Sequence, residues 1–422
     1  MEGSFGAGFD QYRNIDAIQT RLNRYFSQDK EQRFQLEGVL GGGEFGITWK
    51  LKYKAFRSPI TSMESSSTPA NVPETSGRLQ PQSRYIVLKA DYRQLNSQDN
   101  EDGGDQPQDD DDDDDITPYD SMFPNEKAML QVLLWAKHIS TGVEISNDPL
   151  TQRFPGTPWH QMRRNTWLYT EWVENGTVGK FVRRAQEQQI QLPNRLLWSF
   201  FLCLIRMVIA MGWPPEKPDG EDPQPVIEEI NGPAYGALVH RDIFLDDLSV
   251  GNIMVGNLLP EDPGSEHTLA PILILIDLAE MLKDANRRAI CYNIKEIACV
   301  MILFITLDHE TAVLMSINTH TSKYFQESPT SPRFLSYAHI LIDEINGDHP
   351  FPWLDGRLRA LVCACLAVAD EDRPEPQALL DITKSYLNDK GERYYASQPG
   401  YDGASESDER IRSVLSTVVF DA

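Results

Sequence analysis

The stretch Leu36–Lys50, LEGVLGGGEFGITWK, decides how the rest of the chain is interpreted. Gly41, Gly43 and Gly46 have the spacing G-x-G-x-x-G, and strand-forming residues flank them on both sides. The pattern predicts a β-hairpin whose tip is a glycine loop, and a plain hairpin turn fits this stretch equally well. Because glycine has no Cβ atom, such a loop can also lie close to a nucleotide and donate backbone N–H groups to its phosphates. A dinucleotide-binding fold joins the same spacing to a helix, whereas a second strand follows here.

Composition restricts the class of protein. The chain has 422 residues, 41% of them apolar, as in an ordinary soluble globular protein. The net charge is −24, and eleven acidic residues lie within 94–115, where there is no lysine or arginine. We interpret this acidic run as a solvated linker. Since the chain has no basic stripe, we expect it to bind neither nucleic acid nor an anionic membrane surface.

The cysteines and the N-terminal sequence predict where in the cell the protein is located. The five cysteines are odd in number, most lie in apolar helix-like runs, and none has the spacing of a zinc site. They are therefore expected to be buried reduced thiols of a cytosolic or nuclear protein. The N-terminal sequence lacks a secretion signal, so we expect that the protein is not secreted. The longest apolar run, Leu196–Trp213, contains Arg206 and predicts a buried core helix rather than a membrane span.

Apolar periodicity predicts a mixture of strands and helices along the chain. Residues 1–29 are predicted to form an N-terminal helical extension, and residues 389–422 a polar, loosely ordered tail. Stretches rich in polar residues, Pro and Gly predict disordered insertions near 57–83, 94–118 and 214–236. Helices are predicted at Tyr12–Phe26, 124–139, 194–213, 293–307, 334–345, 355–369 and 375–387, and strands at 84–90, 166–173 and 272–278.

Single polar residues stand out at the ends of these elements. Lys89 lies among apolar residues near the end of a strand, where it is costly unless its ammonium group meets anionic partners. Glu126 lies near the start of a helix, and Asp277 ends a buried strand. The segment between them contains His240-Arg241-Asp242 and, ten residues after that aspartate, Asn252.

The chain resembles the eukaryotic protein-kinase fold in the order of six motifs. They are the glycine hairpin, Lys89, Glu126, the H-R-D triplet, Asn252 and Asp277. The segment 364–380, with Arg373, is similar to the Arg-Pro segment near the end of that family's large lobe. The resemblance covers residues 30–388. It implies an α+β, bilobal fold with a small β-rich N-lobe at about 30–171 and a large, mostly helical C-lobe at about 172–388.

The resemblance implies that the protein binds ATP and Mg²⁺ and transfers a phosphoryl group. Gly41, Gly43 and Gly46 would cover the phosphates of ATP. Lys89 would bind the α- and β-phosphates, and Glu126 would pair with Lys89.

The remaining roles implied by the resemblance concern adenine and the metal ions. Thr170 would stand just before the hinge, and the backbone of Glu171–Val173 would hydrogen-bond the adenine base. Asp277 would bind Mg²⁺, and Asn252 would bind a second metal ion. Both metal ions serve to neutralise charge on the phosphates.

The position of the catalytic base is open, because Asp242 precedes Asn252 by ten residues and the family pattern has five. In one register Asp242 is the base and 244–248 is an insertion, as in loops of fungal kinase-like proteins, which we slightly prefer. In a second register Asp247 is the base, since it has the five-residue spacing. In a third, Asp242 is the base and Asp247 replaces the asparagine as metal ligand. No lysine stands two residues after either aspartate.

Other departures leave three functions open. The metal strand ends Asp277-Leu278-Ala279 instead of D-F-G, no A-P-E motif follows, and Asn293 stands where the family has an aspartate. The first hypothesis is a divergent protein kinase, Ser/Thr type by family default, acting on an unknown protein substrate. The second is a pseudokinase that binds nucleotide or protein partners. The third is a small-molecule phosphotransferase of the aminoglycoside or choline kinase type.

Overall fold

The chain is a mixed α+β protein in which a small antiparallel sheet is followed by several helices. The computed structural model describes residues 15–43, 46–55, 82–91, 122–152, 165–219, 224–233, 238–240, 243, 251–260, 266–284, 287–317, 321–342 and 349–420. The chain divides into a first unit, Met1–Pro124 with Gly142–Trp172, and a second unit, Asn125–Thr141 with Val173–Ala422.

Alternation of apolar and polar residues builds the sheet of the first unit. Strands β1 to β4 are antiparallel and neighbour one another in chain order. In β2, Ile47, Trp49 and Leu51 are buried, while the residues between them are partly exposed. The strands are β1 (Phe34–Gly43), β2 (Gly46–Ala55), β3 (Gln82–Ala90) and β4 (Trp167–Glu171).

Helix α1 (Ile15–Ser27) contributes the other half of this core. Its apolar residues recur every three or four positions, so that Ile18, Leu22 and Phe26 lie on one face and are buried with the sheet residues. The predicted N-terminal helix is therefore present over the described residues Ile15–Ser27.

Two polar side chains fasten the segment 146–150 within the first unit. The Arg33 guanidinium donates to the Asp29 carboxylate and to the carbonyl oxygens of Ser146 and Asn147, at 2.7 and 3.0 Å. The Asp148 carboxylate accepts from the Trp167 indole N–H, at 2.8 Å. These bonds satisfy buried polar groups at the border of the apolar core.

A buried helix forms the centre of the second unit. Helix α4 (Asn194–Gly212) is apolar on all sides, and nearly all of its residues are buried. The described helices of this unit also include α3 (Val178–Glu187), α5 (Arg287–Thr306), α6 (His309–Ile317), α7 (His339–Ile342), α8 (Gly356–Cys365), α9 (Pro376–Asp389), α10 (Glu392–Ser397) and α11 (Asp408–Leu415). Its described strands are β5 (Leu238–Val239), β6 (Ile253–Val255), β7 (Leu273–Leu275), β8 (Leu282–Lys283), β9 (Lys323–Phe325) and β10 (Phe334–Ser336).

Two of the predicted helices are shorter than expected because backbone hydrogen bonds go elsewhere. Helix α2 (Met122–Val132) stops before residue 139, and the Ser140 N–H instead donates to the Leu275 carbonyl at 2.9 Å. In the predicted helix 334–345, residues Phe334–Ser336 form β10 and pair with β9. The buried Ser336 hydroxyl donates to the Cys363 carbonyl at 2.7 Å, which fixes this strand onto the end of α8.

Residues expected to be loosely ordered at the end of the chain contribute to the core. Tyr395 and Ile411 are buried, and the Glu406 carboxylate accepts from the backbone N–H groups of Asn194 and Arg195 at 2.8 and 3.0 Å. Since the first N–H groups of a helix have no partner within it, Glu406 caps α4. Residues 224–233, within the insertion predicted near 214–236, include Glu228, which is fully buried. The insertion predicted at 94–118 lies outside the described residues, as does most of that at 57–83.

Candidate functional site

The glycine hairpin forms as predicted, with Gly43 paired to Gly46 across its end. At Gly46 an added Cβ atom would lie 2.5 Å from the carbonyl oxygen of Ala90, so the close approach of β3 requires glycine there. At Gly41 an added Cβ atom would have no neighbour within 4 Å. Packing therefore explains Gly46 but leaves Gly41 open to another explanation, such as space for a ligand.

Replacing Gly46 with alanine is expected to lower the free energy of unfolding by about 1–3 kcal/mol, because the new methyl group meets backbone atoms that cannot move independently. Gly41→Ala is the matched control, since it adds the same methyl group into open space. Urea unfolding of both variants would measure the difference. Equal stability of the two variants would contradict this explanation of Gly46.

One face of the sheet collects several of the predicted site residues. In the strand register Gly41 pairs with Thr48, Thr48 with Lys89, and Lys89 with Leu168, so the four residues form a row across β1 to β4. Directly opposed residues of adjacent strands share a face, and Thr170 lies two residues beyond Leu168 on that face. Within the first unit the structure thus brings Gly41, Lys89 and Thr170 to one side of the sheet, and Glu171 ends β4.

Strands β6 and β7 bring Asn252 and Asp277 together in the second unit. The two strands are antiparallel, and the Ile276 N–H donates to the Asn252 carbonyl at 2.8 Å. Asp277 follows Ile276 directly, so both predicted metal ligands lie at the same end of this strand pair. An amide and a carboxylate oxygen are ligands that suit Mg²⁺.

Asp277 has an uncommon backbone conformation, with φ of 57°. Left-handed backbone disfavours residues with a Cβ atom, although aspartate and asparagine tolerate it better than others. The His240 ring Nε2 lies 3.0 Å from the Asp277 carbonyl oxygen, and His240 is fully buried. The histidine of the H-R-D triplet therefore contacts the main chain of the aspartate at the strand end.

Asn293 on α5 fixes the segment that carries His240. Its side-chain oxygen accepts from the His240 N–H at 3.3 Å, and its side-chain NH₂ donates to the Leu238 carbonyl at 2.7 Å. An asparagine can do both, whereas an ionised aspartate can only accept. Sequence analysis identified Asn293 as a departure from the family pattern but did not predict its hydrogen bond to the Leu238 carbonyl. That bond explains why an amide suits this position.

Asn293→Asp is expected to destabilise the second unit by about 1–3 kcal/mol at neutral pH, since the buried Leu238 carbonyl loses its donor. Burial raises the pKa of the introduced carboxyl above its unfolded value, so the penalty is fully present above the folded pKa. It should shrink as the pH falls through that pKa, because a protonated carboxyl can donate. Urea unfolding of the variant and wild type at pH 5 and 8 would measure this, and an equal penalty at both would contradict it.

Asn125 is a positioning residue that sequence reasoning missed. Its side-chain NH₂ donates to the carbonyl oxygens of Ala279 and Met281, at 2.6 and 3.1 Å. The segment after Asp277 is thereby attached to α2, next to Glu126, which is buried. A polar residue in the first turn of a helix was the only local signal for this contact.

The remaining predicted residues are distributed as follows. Glu126 and Val173 belong to the second unit and are both buried. Asp242 and Asp247, the two candidates for the catalytic base, lie outside the described residues. The described residues thus include those predicted to bind nucleotide and metal, but neither candidate for the base.

Two described helices, Asn194–Gly212 and Arg288–Thr306, are long and apolar enough to cross a membrane by length and composition alone. Their apolar windows are 89% and 83% buried, as in the core helices of a soluble protein. The sequence matches no protein-family model, and no curated protein matches it at a significant level. The kinase resemblance therefore depends on the order of the motifs in the sequence.

Proposed function

We propose that the chain is a divergent protein kinase that binds Mg·ATP and transfers its γ-phosphoryl group to a protein hydroxyl. In this proposal the first and second units correspond to the small and large lobes of a bilobal kinase-like fold. The observation that supports it most is that Asn252 and Asp277 lie at the same end of β6 and β7, with Asp277 in a left-handed backbone conformation.

Backbone strain at Asp277 favours a functional explanation over a structural one. A left-handed residue with a side chain costs of order 1 kcal/mol, and such residues cluster at active sites. Five other described residues with side chains have positive φ, including Asn147 and Asn165. Asp277 differs from them in its place. It lies two residues after β7, and Asn252, the other proposed oxygen ligand, lies directly before the paired strand β6. Holding a carboxylate at a fixed angle is a requirement of a metal ligand.

The row on the sheet of the first unit supports nucleotide binding independently. An ammonium group among apolar neighbours suits a phosphate, and an added Cβ atom at Gly41 would meet open space. In the proposed reaction Lys89 binds the α- and β-phosphates, and Asn252 and Asp277 hold Mg²⁺, which neutralises charge on the transferred group. Either Asp242 or Asp247 accepts the proton of the attacking hydroxyl.

Thermal unfolding with and without Mg·ATP tests nucleotide binding. With ligand at about 100 times Kd, binding stabilises the native state by about 2.7 kcal/mol, which corresponds to a rise in Tm of a few degrees. We expect this rise in the wild type and its loss in Lys89→Ala. Lys54→Ala is the matched control, since Lys54 lies exposed on the adjacent strand β2.

Asp277→Asn tests the metal ligand without disturbing the fold, because asparagine tolerates the same left-handed backbone. We expect the variant to unfold like the wild type without ligand and to lose the Mg²⁺ dependence of the ATP-induced rise. Unchanged magnesium titration would exclude Asp277 as the ligand, and no rise in wild type at millimolar Mg·ATP would overturn the proposed function. Phosphate transfer by Asp242→Asn and Asp247→Asn would then identify the base, and no transfer by a wild type that binds ATP would favour a pseudokinase.

A further inference from the structure

A second cluster of potential ligands lies inside the second unit, away from the residues assigned above. His138 belongs to the segment that follows α2, Cys203 to the middle of α4, and His267 to the connection between β6 and β7. Their ring nitrogens and sulfur lie within 4.8 Å of one another. All three side chains are buried, with at most 1% of their surface exposed.

Glu228 orients one of these rings. The His138 Nδ1 atom lies 2.7 Å from one Glu228 carboxylate oxygen, and the other oxygen accepts from the His138 backbone N–H at 2.7 Å. Glu228 is fully buried. A carboxylate on the far nitrogen of an imidazole is the arrangement that fixes metal-binding histidines in proteins.

The other nitrogen of His138 faces the cluster without a hydrogen-bond partner. His138 Nε2 is buried and has none among the described residues. A buried polar atom of this kind is costly unless something binds it. The Cys203 sulfur lies 4.0 Å from His267 Nδ1, which is longer than a good hydrogen bond to a ring nitrogen. The three groups therefore lie close together, and the contact between Cys203 and His267 is too long to be a good hydrogen bond.

Distances and charge both fit a metal ion. Tetrahedral zinc with bonds of about 2.0–2.3 Å separates its ligand atoms by about 3.4–3.8 Å, so atoms within 4.8 Å of one another need to approach by about 1.4 Å at most. The charge of a divalent ion would be balanced by the Cys203 thiolate and the Glu228 carboxylate. A buried site of zero net charge avoids the cost of an uncompensated charge.

A structural ion pair is the competing explanation. A protonated His138 would balance the Glu228 carboxylate without a metal ion, since His138 Nδ1 lies 2.7 Å from a Glu228 carboxylate oxygen. That explanation leaves His138 Nε2 without a well-formed hydrogen bond, and it does not account for the position of His267 next to Cys203.

We propose that His138, Cys203 and His267 bind one Zn²⁺ ion, with a water molecule as fourth ligand and Glu228 as the residue that positions His138. Two imidazoles and one thiolate are a donor set that binds zinc in proteins, and copper accepts the same set. The ion would connect α4 with two segments distant in sequence and stabilise the second unit.

Zinc content of the purified protein is the first measurement. The full chain would be produced without a histidine tag and analysed by mass spectrometry of the metal, with about one zinc per chain expected. Cys203→Ser and His267→Gln should each lose most of that zinc. Cys299→Ser is the matched control, because Cys299 is equally buried, lies on α5 and is expected to leave the zinc in place.

Refolding of the wild type with a metal ion is a second test, which applies even if a variant does not fold. Wild-type protein refolded with Co²⁺ should show a sulfur-to-cobalt charge-transfer band, and Cys299→Ser should show the same band. Glu228→Gln should weaken zinc binding by about 10–100-fold in a chelator competition. No metal in the wild type, either as purified or after refolding with zinc, would overturn the proposal, as would full retention of zinc by both Cys203→Ser and His267→Gln.

Discussion

Replacing Arg206 with methionine is expected to lower the free energy of unfolding by about 3–5 kcal/mol, the usual cost of removing one partner from a buried ion pair. Arg206 lies on α4 with 1% of its surface exposed. Its guanidinium donates to the Glu228 carbonyl and to the Glu266 carboxylate, whose side chain is 10% exposed. Methionine fills a similar volume but leaves both acceptors without their donor.

A second variant separates the lost ion pair from lost packing. Adding Glu266→Leu to Arg206→Met removes the orphaned charge, so the double variant should recover a large part of the lost stability. Urea unfolding followed by hydrogen exchange of α4 peptides would locate the effect in the second unit. A loss below about 1 kcal/mol for Arg206→Met, or no recovery in the double variant, would contradict a dominant role of this charge.

Replacing Arg33 with methionine is expected to destabilise the first unit by about 3–5 kcal/mol, because Asp29 would remain buried without its cation. The two side chains are 7% and 5% exposed, and the guanidinium also holds the carbonyls of Ser146 and Asn147. Loss of these bonds would release the segment that places Asp148 against the sheet. Faster hydrogen exchange in β2 and β4 peptides is the expected readout.

Arg33→Lys is the control that keeps the positive charge but removes the planar guanidinium group. Lysine keeps the positive charge near Asp29 but cannot reach the carboxylate and two carbonyls at once, because it lacks the planar fork of arginine. We expect a loss of about half that of Arg33→Met. If the two variants were equally stable, the geometry of the guanidinium would be unimportant, and if both matched wild type, the cluster would contribute nothing measurable.

Local sequence patterns predicted the elements whose own residues determine them. Alternation around Trp49 and the paired glycines specify the β1–β2 hairpin, and the continuous apolar run specifies α4. The short strand β10 was predicted as a helix, since its formation depends on pairing with β9 and on the bond from Ser336 to Cys363. Such partners are distant in sequence and leave no periodic signal.

The candidate sites show the same division. Motif order selected Lys89, Asn252 and Asp277 as candidate site residues. The register of the strands then showed which residues lie beside them. Cysteine spacing gave no indication of the cluster at Cys203, because its two histidines come from segments 65 residues before and 64 residues after it. Glu228 was also missed, since it lies in a stretch whose composition predicted disorder.

The cap that Glu406 provides for α4 affects the order in which the protein can be completed during synthesis. The cap and the first turn of the helix are separated by 212 residues. A ribosome making about 5–20 residues per second needs about 10–40 seconds to cover that distance. During this interval a long, apolar helix has emerged while its first N–H groups still lack their native acceptor. The nascent second unit thus passes through a period in which chaperone binding or aggregation competes with folding.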